Sequence, residues 1–151
     1  MGKQTFTRLT ADEILAGLNQ ALGAERQAVT NYYAHARAYD RAVYDRSDIR
    51  DALETLGDVE REHAQRLSAR ITALGDSPRG EEVTPQPVGD VLQDMLVQDL
   101  KDEQWAIVEY ARLVAGIVDD DETTELMLEL LLDEIRHAGW LKATLRALEM
   151  E

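Results

Sequence analysis

The sequence predicts an all-α protein, an antiparallel four-helix bundle with a long crossover between its second and third helices. All three prolines, Pro78, Pro85 and Pro87, fall in one glycine-containing segment at roughly 75–89, which is typical of a linker. The flanking segments contain no proline, are rich in Ala, Leu, Glu and Arg, and repeat apolar residues every three or four positions. Each flank can form two long helices, and we expect one domain over 1–151.

The first flank is predicted to form helices A and B. Thr10-Ala-Asp-Glu13 is a capping box, in which a hydroxyl and a carboxylate satisfy two free backbone N–H groups at a helix start. Helix A should therefore begin at Thr10 and run to about Tyr39. The polar stretch that follows turns the chain, and Ser47 is the expected cap of helix B, which ends near Leu74.

The second flank is predicted to form helices C and D. Helix C should start near Gly89-Asp90 and continue to about Ile117. The acidic run from Asp119 to Glu122 suits the positive N-terminal end of helix D, and it is also compatible with a solvated turn. Helix D then runs nearly to the last residue.

The linker between helices B and C is long enough to cross the bundle. About 14 extended residues span up to roughly 46 Å, and a helix of about 28 residues is roughly 42 Å long. Short A–B and C–D turns imply antiparallel hairpins, so the long connection predicts a bundle with one crossover.

Composition excludes several classes of function. Thirty acidic residues against 16 basic ones give a net charge of −14, which opposes binding to a phosphate backbone and favours cations. A nucleic acid is therefore not an expected partner. A membrane is not expected either, because no apolar run approaches the length of a spanning helix. The chain has no cysteine and no secretory signal, which fits a cytoplasmic protein.

Each predicted helix carries a glutamate on its inward stripe, where an apolar residue is expected. Two of these glutamates are followed three residues later by a histidine, in Glu60-Arg-Glu-His63 and Glu134-Ile-Arg-His137, so both side chains project from one helix face. All four glutamates lie near the middle of their helices. We therefore expect six side chains to converge in the bundle: Glu25, Glu60, His63, Glu103, Glu134 and His137.

A cluster of buried carboxylates predicts bound metal. Desolvating each carboxylate costs several kcal/mol and the like charges repel, and neither Lys nor Arg falls on these stripes near the glutamates. Divalent cations are the simplest compensation, and carboxylate with imidazole suits iron or manganese and also zinc. Four glutamates and two histidines serve two ions. The alternative is a set of polar core residues that satisfy one another.

The helix motifs also resemble bacterioferritins of the ferritin-like superfamily, over about Leu18 to Leu148. The resemblance rests on LNQALGAERQAVTNYYAHAR (18–37), DVEREHAQR (58–66), DLKDE (99–103) and LLLDEIRHAGWL (130–141). It implies that the six residues are ferroxidase ligands for two iron ions. The implied activity is oxidation of Fe(II) by dioxygen or hydrogen peroxide, with storage of ferric mineral in a homo-oligomer, at least a dimer and at most a cage.

Three departures from that family restrict the transfer. The methionine that binds haem in the family, directly after the helix-B glutamate, is Arg61 here, so haem is not expected. The acid directly before that glutamate is Val59, so His137 should lack its usual partner. Only 14 residues follow His137, so the short fifth helix of 24-subunit cages is not expected.

Several further residues are candidates for supporting roles. Asp133, directly before Glu134, is either a hydrogen-bond acceptor for His63 or a solvated helical residue. Tyr32 matches the family's tyrosine near the metals and is a candidate electron donor, with a packed core tyrosine as the alternative. His35 lies off the ligand stripe and is predicted at the surface or an interface. Three aromatic residues are expected to pack in the core or in a subunit contact: Tyr33, Trp105 and Tyr110. Arg136 is expected either to pair with a neighbouring acid or to face solvent.

Two functions remain open from the sequence. The first is a ferroxidase and iron-storage protein. The second is a non-cage di-iron oxidoreductase, either peroxide-reducing or a small-molecule oxygenase. A rubrerythrin-like form of the second is disfavoured, since Ala106 stands where those proteins add a glutamate and the chain has no cysteine. A DNA-protecting mini-ferritin is also disfavoured, because this chain supplies all six ligands itself.

Overall fold

The computed structural model describes residues 7–41, 46–80, 83 and 91–150, apart from the side chains of 40 and 41. Four helices form an all-α bundle: α1 (Ala11–Arg41), α2 (Ser47–Ala73), α3 (Leu92–Gly116) and α4 (Asp121–Glu149). The predicted fold class is confirmed. No helix in the described ranges is both long and apolar enough to cross a bilayer.

Two of the helix starts have the caps that their sequences favour. At α1 the Thr10 N–H donates to Glu13 Oε1 and the Glu13 N–H donates to Thr10 Oγ1, each at 3.1 Å, so the predicted capping box is present. At α4 Asp120 is the N-cap, and its Oδ1 accepts from the Thr123 N–H at 3.1 Å.

The other two starts differ from the prediction or lie outside the described chain. Ser47 does not cap α2. Arg46 occupies the N-cap position without a side-chain cap hydrogen bond, and Ser47 is the first helical residue. The start predicted for helix C at Gly89-Asp90 lies outside the described residues, and α3 is described from Leu92.

Contacts between helices fix the topology. Tyr32 contacts Glu103 while Tyr110 contacts Glu25, so α1 and α3 are antiparallel. α1 and α2 are also antiparallel, since Tyr33 lies against Gly57 and Glu25 lies near His63.

α2 and α3 therefore run in the same direction. The end of α2 and the start of α3 lie at opposite ends of the bundle, which is the arrangement that a crossover joins. Of the crossover predicted at 75–89, the structure describes 75–80 and Val83. At the end of α2, Arg70 donates to Asp120 Oδ1 at 3.0 Å and so fixes α2 against the start of α4.

The interior consists of two apolar clusters. One includes Leu22, Leu67 and Leu130, and the other includes Leu53, Leu96 and Leu141. Along each helix the inward glutamates and histidines fall between residues of the first cluster and residues of the second. A buried polar layer therefore interrupts the apolar core at mid-height, where water cannot easily compensate charge.

Candidate metal centre

The structure brings the six predicted side chains together in that layer. Their exposure ranges from 0% for Glu60 to 6% for His137. They form two overlapping groups of four, and within each group one ligand atom from each residue lies within 4.8 Å of the others. One group is Glu25, Glu60, His63 and Glu134, and the other is Glu60, Glu103, Glu134 and His137.

Two carboxylates belong to both groups. Glu60 places Oε2 2.9 Å from His63 Nδ1 and Oε1 3.0 Å from His137 Nδ1. Glu134 does the same with Oε1 3.0 Å from His63 Nδ1 and Oε2 3.7 Å from His137 Nδ1. Each of these glutamates thus directs one oxygen to each histidine, which is the arrangement of a carboxylate that bridges two ions.

The two histidines have different surroundings. His63 Nε2 lies 2.9 Å from Asp133 Oδ2, which leaves Nδ1 facing the carboxylates. Asp133 Oδ1 in turn accepts from Arg136 at 3.0 Å. In the part of the chain that the structure describes, His137 contacts acids through Nδ1 alone, because the position before Glu60 is Val59. The imidazole rings lie nearly parallel, with centroids 6.2 Å apart.

Two buried tyrosines donate to the remaining glutamates, each across to the other helix. Tyr32 Oη donates to Glu103 Oε1, and Tyr110 Oη donates to Glu25 Oε1, both at 2.5 Å. Burial is the largest cause that raises the pKa of each phenol, and the nearby carboxylates add to it, so both remain protonated donors.

The carboxylates and imidazoles of the centre include several groups whose pKa values are shifted far from the usual ones. Burial raises the pKa of Glu134 to about 8 and raises the pKa of Glu60 well above its usual value. Burial alone would raise the pKa of Glu103, but hydrogen bonds from Glu134, His137 and Tyr32 outweigh it and lower that pKa to about 2. For His137 burial acts to lower the pKa, yet the surrounding carboxylates raise it to about 12, and they raise that of His63 as well.

The donor atoms fit a metal better than they fit one another. Four buried atoms of the centre have no hydrogen-bond partner within the described residues: Glu60 Oε2, His63 Nδ1, Glu103 Oε2 and Glu134 Oε1. His63 Nδ1 lies 2.9 Å from Glu60 Oε2 and 3.0 Å from Glu134 Oε1, but neither contact has hydrogen-bond geometry. Buried polar atoms are normally paired. Atoms that converge without pairing have the geometry of ligands around a shared cation, and carboxylate with imidazole suits iron, manganese or zinc.

His35 corrects the sequence prediction, which placed it at the surface or an interface. It is 3% exposed, and its Nδ1 lies 2.7 Å from Oδ2 of the buried Asp99. The inner face of α1 is wider than one stripe because this helix packs against both α2 and α3. Asp99 also lies on the inward face of α3, so the signal available was an inward acid that required a partner.

Tyr110 has a role that the sequence prediction did not assign. It was expected to pack in the core or a subunit contact, and it does lie in the core, but its hydroxyl also contacts the centre. The available signal was the spacing, because Glu25 and Tyr32 stand seven residues apart, as do Glu103 and Tyr110. Trp105, by contrast, is 42% exposed.

Arg61 lies outside the centre, on the α1–α2 surface. Its guanidinium carbon lies 5.3 Å from the centroid of the Tyr33 ring, and its Nη2 donates to Asp58 Oδ1 at 3.0 Å and to the Tyr33 hydroxyl. The guanidinium is therefore held by an aromatic face and an acid.

Comparison with known proteins finds similar sequences over most of the chain. The family model described as a ferritin-like domain matches residues 15–150. Bacterioferritin of Brucella melitensis is 30% identical over 88% of this chain and 83% of its own length. Bacterioferritins of Rhodobacter capsulatus and Mycobacterium leprae are 27% and 26% identical, over 86% and 88% of this chain and 81% and 84% of their own lengths.

Proposed function

Since this chain belongs to the ferritin-like family as a bacterioferritin-like member, we propose that it is a ferroxidase and iron-storage protein. The two overlapping four-residue groups carry the proposal, because they offer two adjacent positions for Fe(II) inside one chain. In this assignment Glu60 and Glu134 bridge the ions, Glu25 and Glu103 each bind one, and His63 and His137 cap one each.

Charge supports two divalent ions at this site. Four carboxylates carry four negative charges, and two divalent cations balance them when both imidazoles are neutral. Each Fe(II) supplies one electron, so two of them with two protons reduce dioxygen to hydrogen peroxide, or hydrogen peroxide to two waters. Oxidation leaves two excess positive charges in a buried site, which favours movement of the product iron into storage.

The neighbouring residues have supporting roles in this proposal. Asp133 accepts from His63 Nε2 and so fixes the tautomer that presents Nδ1 to the ion. Tyr32 is placed to give a further electron, with its hydroxyl proton directed at Glu103 Oε1. Its alternative role as a packing residue has the same geometry, so only a Tyr32→Phe variant separates the two.

Haem binding at the position of Arg61 is not part of the proposal. The guanidinium cannot act as the thioether ligand that the related proteins place there, and its permanent charge is costly to desolvate against a porphyrin. Its contacts with Tyr33 and Asp58 also hold it in place. Purified protein titrated with haem should show no low-spin absorption bands, and their appearance would contradict this part of the proposal.

Storage requires assembly, and the surface offers apolar area for it. Exposed apolar side chains on α3 and α4 would be buried by self-association: Trp105, Val108, Leu128, Leu132 and Ile135. We propose a homo-oligomer, at least a dimer. A cytoplasmic location stays a prediction from the cysteine-free sequence.

The test combines mass and iron handling. Light scattering should give the mass of a closed multi-subunit shell, and anaerobic calorimetry should give two Fe(II) per chain. Added Fe(II) in air should then be retained as ferric iron that comigrates with the protein. A dimer that oxidises Fe(II) without retaining it would favour the non-cage di-iron oxidoreductase, and absence of saturable binding would exclude the centre itself.

A further inference from the structure

Three buried hydrogen bonds join α1 to α3 in the part of the chain that the structure describes, and only two of them reach the metal centre. Those two run from the buried tyrosines to glutamates of the centre. The third joins His35 Nδ1 to Asp99 Oδ2 at 2.7 Å, and both residues are 3% exposed. An ionised carboxylate only accepts hydrogen bonds, so Nδ1 is the donor. Neither residue has a role in the proposed reaction.

The His35–Asp99 pair lies about one helical turn from the hydrogen bond between Tyr32 and Glu103. His35 follows Tyr32 by three residues and Asp99 precedes Glu103 by four, which is the same direction along the bundle because the two helices are antiparallel. Residues three or four apart lie on one face of a helix. A shift of α1 against α3 at the pair therefore also changes the neighbouring hydrogen bond to Glu103.

Apolar packing alone does not fix the distance between α1 and α3 at the level of the centre. A cavity of about 120 Å³ lies between the two helices, and its lining includes Ala24, Ala28 and Ala106. Short side chains leave the spacing of two helices less determined than large interlocking ones do. A hydrogen bond, by contrast, requires its two atoms at a set distance. The buried hydrogen bonds therefore set the spacing of α1 and α3 here.

We propose that His35 and Asp99 are positioning residues for Glu103 and, through it, for the metal ion at His137. The inference rests on the proposed metal centre and adds the contact that places one of its ligands. Glu103 belongs only to the ligand group of His137. Its Oε1 accepts from Tyr32 on α1, and its Oε2 has no hydrogen-bond partner in the described residues. The position of Glu103 therefore depends on how α3 lies against α1.

The ion at His63 provides an internal comparison. Its unshared ligand, Glu25, accepts from Tyr110 and stands ten residues before His35 on α1. Ten residues are about 15 Å along a helix, whereas one turn is about 5 Å. Loss of the His35–Asp99 contact should therefore weaken the His137 position and leave the His63 position unchanged.

The test measures both Mn(II) affinities of the full-length protein by calorimetry. The step that is lost in Glu103→Ala identifies the His137 position. His35→Leu/Asp99→Val replaces the buried pair with apolar side chains, an exchange that is often neutral for stability. It should weaken the His137 position about tenfold, the lower end of the effects of residues that support a ligand, and leave the His63 position at the parent affinity.

Two further variants separate the hydrogen bond from general packing. His35→Asn keeps an N–H group close to the place of Nδ1, so it should keep both parent affinities. Tyr39→Phe is the matched control on the same helix. Tyr39 is 2% exposed and its hydroxyl has no hydrogen-bond partner in the described residues, so its removal should change neither affinity.

The metal-free protein gives a second measurement. The Tyr32 hydroxyl proton should give a downfield proton NMR resonance, because its hydrogen bond to the buried Glu103 carboxylate is short. Its absence in Tyr32→Phe identifies it. The resonance should move upfield in His35→Leu/Asp99→Val and stay in place in Tyr39→Phe.

Three results would overturn the positioning role. They are parent affinity at the His137 position in folded His35→Leu/Asp99→Val, equal losses at both positions, and a loss in His35→Asn as large as in the double variant. If that double variant does not fold, His35→Leu/Asp99→Asn takes its place, because a neutral amide costs less to bury than a charge. Failure of the parent to bind Mn(II) would refute the proposed centre, and an unmoved Tyr32 resonance would separately refute the positioning role.

Discussion

The two halves of the bundle repeat one chemical pattern with one difference. In α1–α2 a glutamate precedes a tyrosine by seven residues and another precedes a histidine by three, and α3–α4 has the same two intervals. The tyrosines even exchange partners, since each donates to the glutamate of the other half. The difference lies directly before the bridging glutamate, where α4 has Asp133 and α2 has Val59.

That one difference makes the two histidines unequal. His63 faces acids at both ring nitrogens and is hydrogen-bonded at Nε2 to Asp133, while His137 contacts acids through Nδ1 alone among the described residues. A carboxylate on the far nitrogen fixes the tautomer and raises the basicity of the ligand. The comparison therefore predicts that the metal position at His63 is the tighter one.

The largest expected effect is on metal stoichiometry, and it distinguishes the glutamates that belong to both ligand groups from those that belong to one. Glu60→Ala removes a ligand from both positions, so Mn(II) stoichiometry should fall to none, whereas Glu103→Ala should leave one ion at His63. Aerobic Fe(II) oxidation should fall at least about 100-fold in both, beyond the range for residues that only support ligands. Circular dichroism should show nearly unchanged helix content. Equal Mn(II) stoichiometry in the two variants would contradict the division into shared and unshared ligands.

The next largest effect is expected from substitutions at Asp133 and Val59, the two corresponding positions at which the halves differ. Asp133→Val should weaken Mn(II) binding at the His63 position by about 10- to 100-fold, and Val59→Asp should strengthen the His137 position. Calorimetry resolves the two steps. Arg136→Gln is the control, because it removes the other partner of Asp133 while leaving its contact with His63. If Asp133→Val and Arg136→Gln behaved alike, the contact with His63 would have no special importance.

The effect of pH follows from the raised pKa values. In the metal-free protein the pKa of Glu134 is raised from 4.5 to about 8 by burial, so its contribution to stability is complete below pH 4.5 and is lost as pH rises to about 8. The loss is at most about 1.4 kcal/mol per pH unit. Metal requires the ionised carboxylate and so binds more tightly over the same range.

Excess Mn(II) should therefore raise the unfolding temperature more at pH 8 than at pH 5.5. Thermal unfolding of the parent is compared with that of Glu25→Gln/Glu134→Gln, which should show little shift at either pH. Ligand linkage gives about 2.7 kcal/mol at 100 times the dissociation constant. An equal metal-induced shift in parent and double variant would place the stabilising ion elsewhere, for example on the acidic surface.

The smallest effect concerns the two tyrosines. Tyr32→Phe and Tyr110→Phe each remove one donor to a buried carboxylate, and their losses of metal-free stability should agree within about 1 kcal/mol. Chemical denaturation measures the free energy of unfolding of each variant and so compares the two losses. If Tyr32 supplies an electron, Tyr32→Phe alone should raise the amount of Fe(II) oxidised per dioxygen, because that electron must then come from Fe(II). Identical iron stoichiometry in the two variants would leave Tyr32 a packing residue.

The sequence predicted the fold and the convergence of the six side chains because both follow from helical periodicity. A glutamate on an inward stripe must lie in the core whatever the details of packing. Four such glutamates near mid-helix must meet, and the structure brings them together. The capping box at Thr10 was similarly local, since all of its atoms come from four consecutive residues.

What the sequence did not predict depends on contacts between helices. The burial of His35 follows from the rotation of α1 against α3, and the partner of Tyr110 is a residue 85 positions away. The opposite pKa shifts of Glu103 and Glu134 depend on which one accepts hydrogen bonds in the folded centre. At α2 a local rule failed, since Ser47 enters the helix and Arg46 takes the cap position.

The central claim is that two metal ions lie between these six side chains. The most direct measurement is anomalous X-ray scattering from crystals grown with Mn(II), collected on both sides of the manganese absorption edge. The account predicts two anomalous peaks per chain, one bonded to His63 Nδ1 and the other to His137 Nδ1, with Glu60 and Glu134 contacting both and the first peak the more fully occupied. Absence of peaks at these atoms, or peaks confined to the acidic surface, would contradict it.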